Sequence, residues 1–122
     1  MRIEALNGEL AVCQVRDAAG VDWSRPFTFM ARTDEELSLV CPAESVPADA
    51  VRREDGWRAF RIAGELDFSL VGVLAKIASI LAEERISIFA LSAYNTDYVL
   101  VKEERFADAL NALRTSGYEI TE

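Results

Sequence analysis

The chain contains no histidine. Within these residues that excludes a histidine general acid or base, a serine–histidine or cysteine–histidine pair, and a histidine-ligated metal. Cysteine is nearly absent too. Cys13 and Cys41 are the only two, each inside an apolar run. They read as buried free thiols, not as a structural disulfide or half of a zinc site. Basic residues are scarce: 13 Lys and Arg against 21 Asp and Glu leave a formal net charge of −8. Nucleic acid and anionic membranes both need a basic footprint, so neither is expected as a partner. No apolar run approaches the length of a membrane span. The opening Met1-Arg2-Ile3-Glu4 has neither the apolar core nor the cleavage motif of a secretory signal, so a cytoplasmic protein is expected.

What is present suits a folded core. Hydrophobic residues make up 51% of the 122 residues, enough for one ordinary domain or two very small modules. Glu9 to Val15 alternates as a strand. Arg16 to Arg25 reads as a loop. Phe27 to Arg32 and Leu37 to Cys41 read as a hairpin closed by Thr33-Asp34-Glu35-Glu36. Ala43 to Gly56, with Pro42 and Pro47 at its near side and charges at its far side, is the most linker-like stretch. It divides the chain into residues 1–55 and 56–122.

The second half has the clearer pattern. Trp57 to Ile62 reads as a strand. Ser69 to Glu84 reads as the best amphipathic helix, its stripe made of Leu70, Val73, Leu74, Ile77 and Leu81. Leu74, Ile77 and Leu81 are expected to be buried, and the helix to end near Arg85. Ile86 to Ala93 and Tyr98 to Lys102 read as strands around the turn Tyr94-Asn95-Thr96-Asp97. Glu103 and Glu104 favour the start of a second helix, Phe106, Leu110 and Leu113 form its stripe, and Gly117 stops it. Tyr118 to Ile120 is a last short strand. The order from Trp57 is strand, helix, strand, strand, helix, strand. That is the ferredoxin-like α+β arrangement, an antiparallel sheet with both helices on one face. Thr33-Asp34 precedes Leu37 as Thr96-Asp97 precedes Leu100, which suggests that the first half is a shortened copy of the second.

Gly64 to Leu74 joins strand to helix and carries the most chemistry. Asp67 or Ser69 can cap the free N–H groups of the first turn. Gly72 costs helix stability but lets a ligand or another backbone come close. Amides at a helix start attract a carboxylate.

Leu66-Asp67-Phe68-Ser69-Leu70-Val71-Gly72-Val73-Leu74 resembles the signature of the ACT-domain family, with Val71 where that signature usually has proline. Arg85-Ile86-Ser87-Ile88-Phe89 resembles its next element. Ser92 to Val101 is similar to the subgroup of small two-unit ACT proteins related to the ACT regions of aspartokinases and to the animal cytosolic arginine sensor. The resemblance implies an ACT domain over residues 57–122, preceded by a shortened, β-rich ACT-like unit. It implies a non-enzymatic regulatory protein that needs no cofactor or metal and holds a small molecule, usually an amino acid, between ACT units. The ligand-binding residues it implies are Asp67, Ser69, Leu70, Val71, Gly72 and Val73 from the loop. From the strand and turn it implies Ser92, Tyr94, Asn95, Thr96 and Asp97. Amides of Leu70 to Val73 would take a carboxylate, and Asp67 or Asp97 a positive group.

A homodimer is expected, because exposed sheet edges favour pairing. The alternative function is an interaction module with a vestigial ligand site, regulating an enzyme or a transporter. The same fold carries acylphosphatases and RNA-recognition modules. Gly64 to Gly72 has no arginine or lysine to hold a phosphate, and Tyr98 to Lys102 offers one tyrosine and little positive charge.

Overall fold

The computed structural model describes residues 1–64, 66–67 and 70–122. In chain order the strands are β1 (Arg2–Ala5), β2 (Leu10–Gln14), β3 (Phe29–Arg32), β4 (Leu37–Pro42), β5 (Arg52–Ile62), β6 (Phe89–Ser92), β7 (Asp97–Lys102) and β8 (Glu119–Thr121). The helices are α1 (Val73–Glu83) and α2 (Glu103–Thr115). The chain divides into two compact units, one of residues 1–7 and 58–122, the other of residues 8–57.

The smaller unit has no α-helix among its described residues, only a three-residue 3-10 turn at Ala43–Ser45. β4 lies between β3 and β2, and β2 pairs with the first part of β5. Cys13, Val15, Leu37, Leu39 and Cys41 form its buried cluster. The second strand begins at Phe29, later than the alternation suggests, because Phe27 takes a positive φ of 62°. The expected linker is only half irregular, since Arg52 to Gly56 belongs to β5. Residues 52–55 are exposed, so that part of the strand carries no apolar alternation to betray it. Gly56, at φ 85°, sits where the β2–β5 register shifts between Leu10 and Val12, a bulge that needs a left-handed residue.

The larger unit has the expected order β5-α1-β6-β7-α2-β8. β7 pairs with both β5 and β6. Ile77 and Leu81 of α1 share one buried core with Phe106, Ala109, Leu110 and Leu113 of α2. Ile3, Phe60, Ile62, Val99 and Val101 of the sheet complete it, so both helices cover the same face. One strand was not legible. β1 inserts beside β5, antiparallel with Ile3 opposite Ile62, and beside β8, parallel with Ile3 opposite Ile120. The sheet is therefore mixed, not purely antiparallel. The first seven residues group with 58–122, not with the segment they precede.

Two helix boundaries differ instructively. Both helices end in a Schellman turn, in which the second residue past the cap bonds back to the last turn. In α2, Tyr118 N–H donates to Leu113 O at 3.1 Å and Gly117 N–H to Arg114 O at 3.0 Å. Gly117 supplies the left-handed position with φ 102°, as expected. In α1, Ile86 N–H donates to Leu81 O at 3.0 Å and Arg85 N–H to Ala82 O at 2.9 Å. Here Arg85 itself adopts φ 58°, a conformation that costs a non-glycine residue roughly 1–2 kcal/mol. The guanidinium of Arg105 helps hold the turn by donating to Glu84 O at 3.1 Å and Arg85 O at 3.4 Å.

At the other end, α1 begins at Val73 rather than Ser69, and Gly72 is its N-cap, with φ 79°. The expected stripe is corrected accordingly. Leu70 precedes the helix and is 52% exposed, Leu74 is half-buried, and Ile77 and Leu81 are fully enclosed. Ile77→Ala is expected to cost about 2–5 kcal/mol. Leu74→Ala should fall below that range, contrary to the periodicity. Urea unfolding of the two variants measures both.

Cys13 and Cys41 are free and buried, as expected. Cys13 lies opposite Leu39 and Cys41 opposite Ala11, so the two are diagonal neighbours on one face of the β2–β4 pair. The Cys13 thiol donates to Leu39 O at 3.4 Å. Burial pushes the Cys41 thiol up from 9.0 to about 11, with the neighbouring Cys13 adding to it; burial also raises Cys13. Thiolate is the reactive form, so the native protein should not react with Ellman's reagent at pH 8, while the denatured protein should titrate two thiols. An unfolded thiol ionises before the folded one. The stability this contributes is therefore complete below pH 9 and lost as the pH rises towards 11.

Candidate functional site

The loop from β5 to α1 is held at several points. Ala63 N–H donates to Arg2 O at 2.9 Å, Leu66 N–H to Asn95 O at 2.7 Å, and Leu70 N–H to Asp67 O at 3.0 Å. The second bond ties the loop to the β6–β7 turn. A buried bond anchors the turn in the other direction: the Thr96 hydroxyl donates to Ile62 O at 2.9 Å. The turn closes with Ala93 N–H donating to Thr96 O at 2.9 Å, and Ser92 lies opposite Asp97.

Loop and turn thus face one cavity of about 280 Å3. Asp67, Leu70, Gly72, Val73, Ser92, Tyr94, Asn95, Thr96 and Asp97, all named from the sequence, line it. Val71 does not. It is 90% exposed and borders a neighbouring cavity. Ser69 lies outside the described residues. Leu66, Leu74, Ala75 and Ala93 also line the cavity. Ala75 was findable, as a small residue in the first turn of a helix; Leu66 was not, because a leucine packed against the core gives no sign of a cavity wall.

Gly72 sets the geometry. Its left-handed conformation ends the loop, and its carbonyl accepts the helical bond from Lys76 N–H at 2.9 Å. Gly72 has no side chain to cap the helix, and no acid occupies the first turn. The N–H groups of Val73, Leu74 and Ala75 therefore have no intrahelical acceptor, and no first-turn acid offsets the positive end of the helix dipole. Of the two expected caps, Ser69 lies outside the described residues, and the Asp67 carbonyl closes a turn with Leu70. That bond also uses the Leu70 amide, leaving fewer amides for an anion than expected.

The turn residues divide by role. Thr96 is buried and structural. Ser92 donates its hydroxyl to Asp97 Oδ1 at 2.7 Å, which orients that carboxylate. Tyr94 is 79% exposed. Neither lysine nor arginine is among the lining residues. The arrangement offers amide donors at one end and the carboxylates of Asp67 and Asp97 elsewhere on the wall.

The turn also bears on duplication. β3 and β4 enclose a four-residue turn closed by Thr33 N–H to Glu36 O at 2.9 Å. This matches the β6–β7 turn, but it places Thr33 in the position of Ala93, not Thr96. The repeated Thr-Asp pair is out of register by three residues, so it is not evidence of a copy. Thr33 instead accepts from Glu35 N–H and Glu36 N–H, both at 3.1 Å.

The site thus belongs to a ferredoxin-like unit whose glycine-broken loop faces a hairpin turn. The model of the ACT domain matches residues 52–115, more than half of the chain, and the chain belongs to the ACT-domain family. Such domains are regulatory and typically bind amino acids. The chain is similar to the cytosolic arginine sensor for mTORC1 subunit 1 of Bos taurus, with 33% identity over 106 residues, 80% of this chain and 32% of that protein. It thus spans about a third of the length of that curated relative. A solved protein of Agrobacterium tumefaciens superposes with a TM-score of 0.87 at 28% identity, over 98% of this chain and 91% of that one. The ligand-free regulatory subunit of aspartate kinase from Thermus thermophilus shares the fold, with a TM-score of 0.63 at 13% identity over 96% of this chain and 97% of that one.

Gly72→Val tests the cap. A Cβ there would meet no atom within 4 Å, but φ is 79°. The cost is thus conformational, about 1–2 kcal/mol, and not the small effect that helix propensity alone suggests. Thermal unfolding of Gly72→Val and Gly72→Ala should show similar losses, since the backbone rather than side-chain size decides.

Proposed function

We propose that this chain is a non-catalytic regulatory protein that binds a free amino acid in the cavity between the β5–α1 loop and the β6–β7 turn. The observation that carries the proposal is the pairing of opposite polarities in one 280 Å3 space. The first-turn amides of α1 suit a carboxylate, and Asp67 and Asp97 suit an ammonium or a basic side chain. With no lysine or arginine in the lining, aspartate and glutamate are disfavoured and neutral or basic amino acids preferred. The kinship with a protein named an arginine sensor is in keeping with a basic ligand, and its name supports a cytosolic setting. β6 pairs only with β7 among the described residues, so its other edge is open to a second copy, which favours a homodimer.

A second reading has its own observation. Leu70, Val71 and Tyr94 are large and exposed. They suit an interaction module that regulates a partner enzyme or transporter through a surface, with the cavity vestigial.

A thermal-shift panel of the twenty amino acids separates the two. A ligand at a hundred times its dissociation constant adds about 2.7 kcal/mol of stability. Asp97→Ala should weaken a basic amino acid more than a neutral one, through loss of a charge-assisted bond worth about 1.5–3 kcal/mol. Light scattering with and without the ligand should give the mass of a dimer. No shift with any amino acid would overturn the ligand reading and leave the interaction module.

A further inference from the structure

A second cavity, of about 270 Å3, shares Gly72 and Val73 with the first and is otherwise lined by Met1, Val71, Lys76, Ser116, Gly117 and Tyr118. Its character is the opposite of the first. Among the described residues that line it, Lys76 is the one charged side chain and none is an acid. We propose that this cavity binds a small organic anion with an apolar or aromatic body, a carboxylate on a hydrocarbon frame.

The cationic part is Lys76. Its ammonium stands 5.9 Å from the centroid of the Tyr118 ring, and it has no carboxylate partner among the described residues. An anion there would supply the counter-charge that the Lys76 ammonium lacks among the described residues. The same first turn of α1, free of acids, supplies further positive potential. The apolar part is built around that charge. Tyr118 is half-buried, and burial raises its phenol, so the ring presents a neutral wall. Val71 is 90% exposed, an apolar side chain left at the rim for a ligand to cover. On the opposite wall, the Schellman turn of α2 keeps its carbonyls occupied. Leu113 O and Arg114 O already accept from Tyr118 and Gly117, so less negative potential reaches the cavity than from an open helix end. Gly117 adds no side chain to fill the space. Among the described lining residues the two cavities therefore differ in charge: one presents two carboxylates and no cationic side chain, the other a cationic side chain and no carboxylate. This inference does not depend on the amino-acid reading, because its residues beyond the shared wall are its own.

The test is titration of the 15N-labelled full chain with 3-phenylpropionate, and with 3-phenylpropionamide as the uncharged control. Saturable shifts are expected at the amides of Lys76, Ser116, Gly117 and Tyr118, at least tenfold weaker with the amide. Lys76 is exposed, so Lys76→Gln should keep the dispersed spectrum of the folded protein while weakening the carboxylate at least tenfold. Tyr118→Leu, which keeps the apolar bulk, should weaken it less. The proposal is overturned if the four amides do not move, if carboxylate and amide bind equally, if Lys76→Gln binds as the wild type does, or if the shifts fall on Ser92 to Asp97 instead.

Discussion

The left-handed turn at Gly72 is the constraint on which the functional half of the molecule depends. A residue at φ 79° cannot continue a helix. The chain therefore reaches Val73 as a loop and begins α1 abruptly, its first-turn amides without intrahelical acceptors. The same turn fixes where Leu70 and Val71 emerge, and Gly72 forms part of the wall of two cavities. A conventional side-chain cap would have satisfied those amides and removed their attraction for an anion. Gly72 offers no such side chain, and in the proposed function that leaves positive potential for a ligand. Local disfavour at a binding element is a recurring arrangement in folded proteins.

Much of the larger unit was legible because its signals are local. In α2, Glu103 and Glu104, the stripe of Phe106, Leu110 and Leu113, and the stop at Gly117 all agree, and the helix is found at Glu103–Thr115. In α1 the local signals conflict. The apolar residues Leu70 to Leu74 extend the helical period backwards, and only the backbone angle of Gly72 shows that the period is broken there. β1 was illegible for a different reason. Arg2-Ile3-Glu4-Ala5 holds a single large apolar residue, and its partners Ile62 and Ile120 are distant in sequence. The first part of β5 was hidden by its charges: Arg53 and Asp55 form an ion pair at 2.8 Å along a strand exposed on both faces. Of the cavity, the two lining segments were legible, because glycine, acid and turn residues cluster there. Their hydrogen-bond roles were not, since Ser92 and Asp97 bond one another and Thr96 is spent on the fold.

The two helix ends illustrate how one geometry tolerates two chemistries. Gly117 adopts its left-handed angle freely, whereas Arg85 adopts the equivalent angle at a cost. Packing offsets that cost. Ile86, the next residue, is buried in the main core, and Arg105 donates to the two carbonyls left at the turn. An arginine at a position that favours glycine is thus sustained by its successor's burial and by a second arginine on the neighbouring helix.

The placement of β1 has a consequence for how the molecule is made. Residues 1–7 leave the ribosome long before Ile120, one of their sheet partners. β1 must therefore wait, unpaired on that side, until β8 has been made. Residues 8–57 form a compact unit of their own and close shorter loops, so they are free to fold earlier. Loop-closure entropy makes the parallel β1–β8 pairing the slowest to establish. The larger unit is thus completed only when β8 reaches a segment made well before it, and no fragment ending before β8 presents β1 with both of its neighbours.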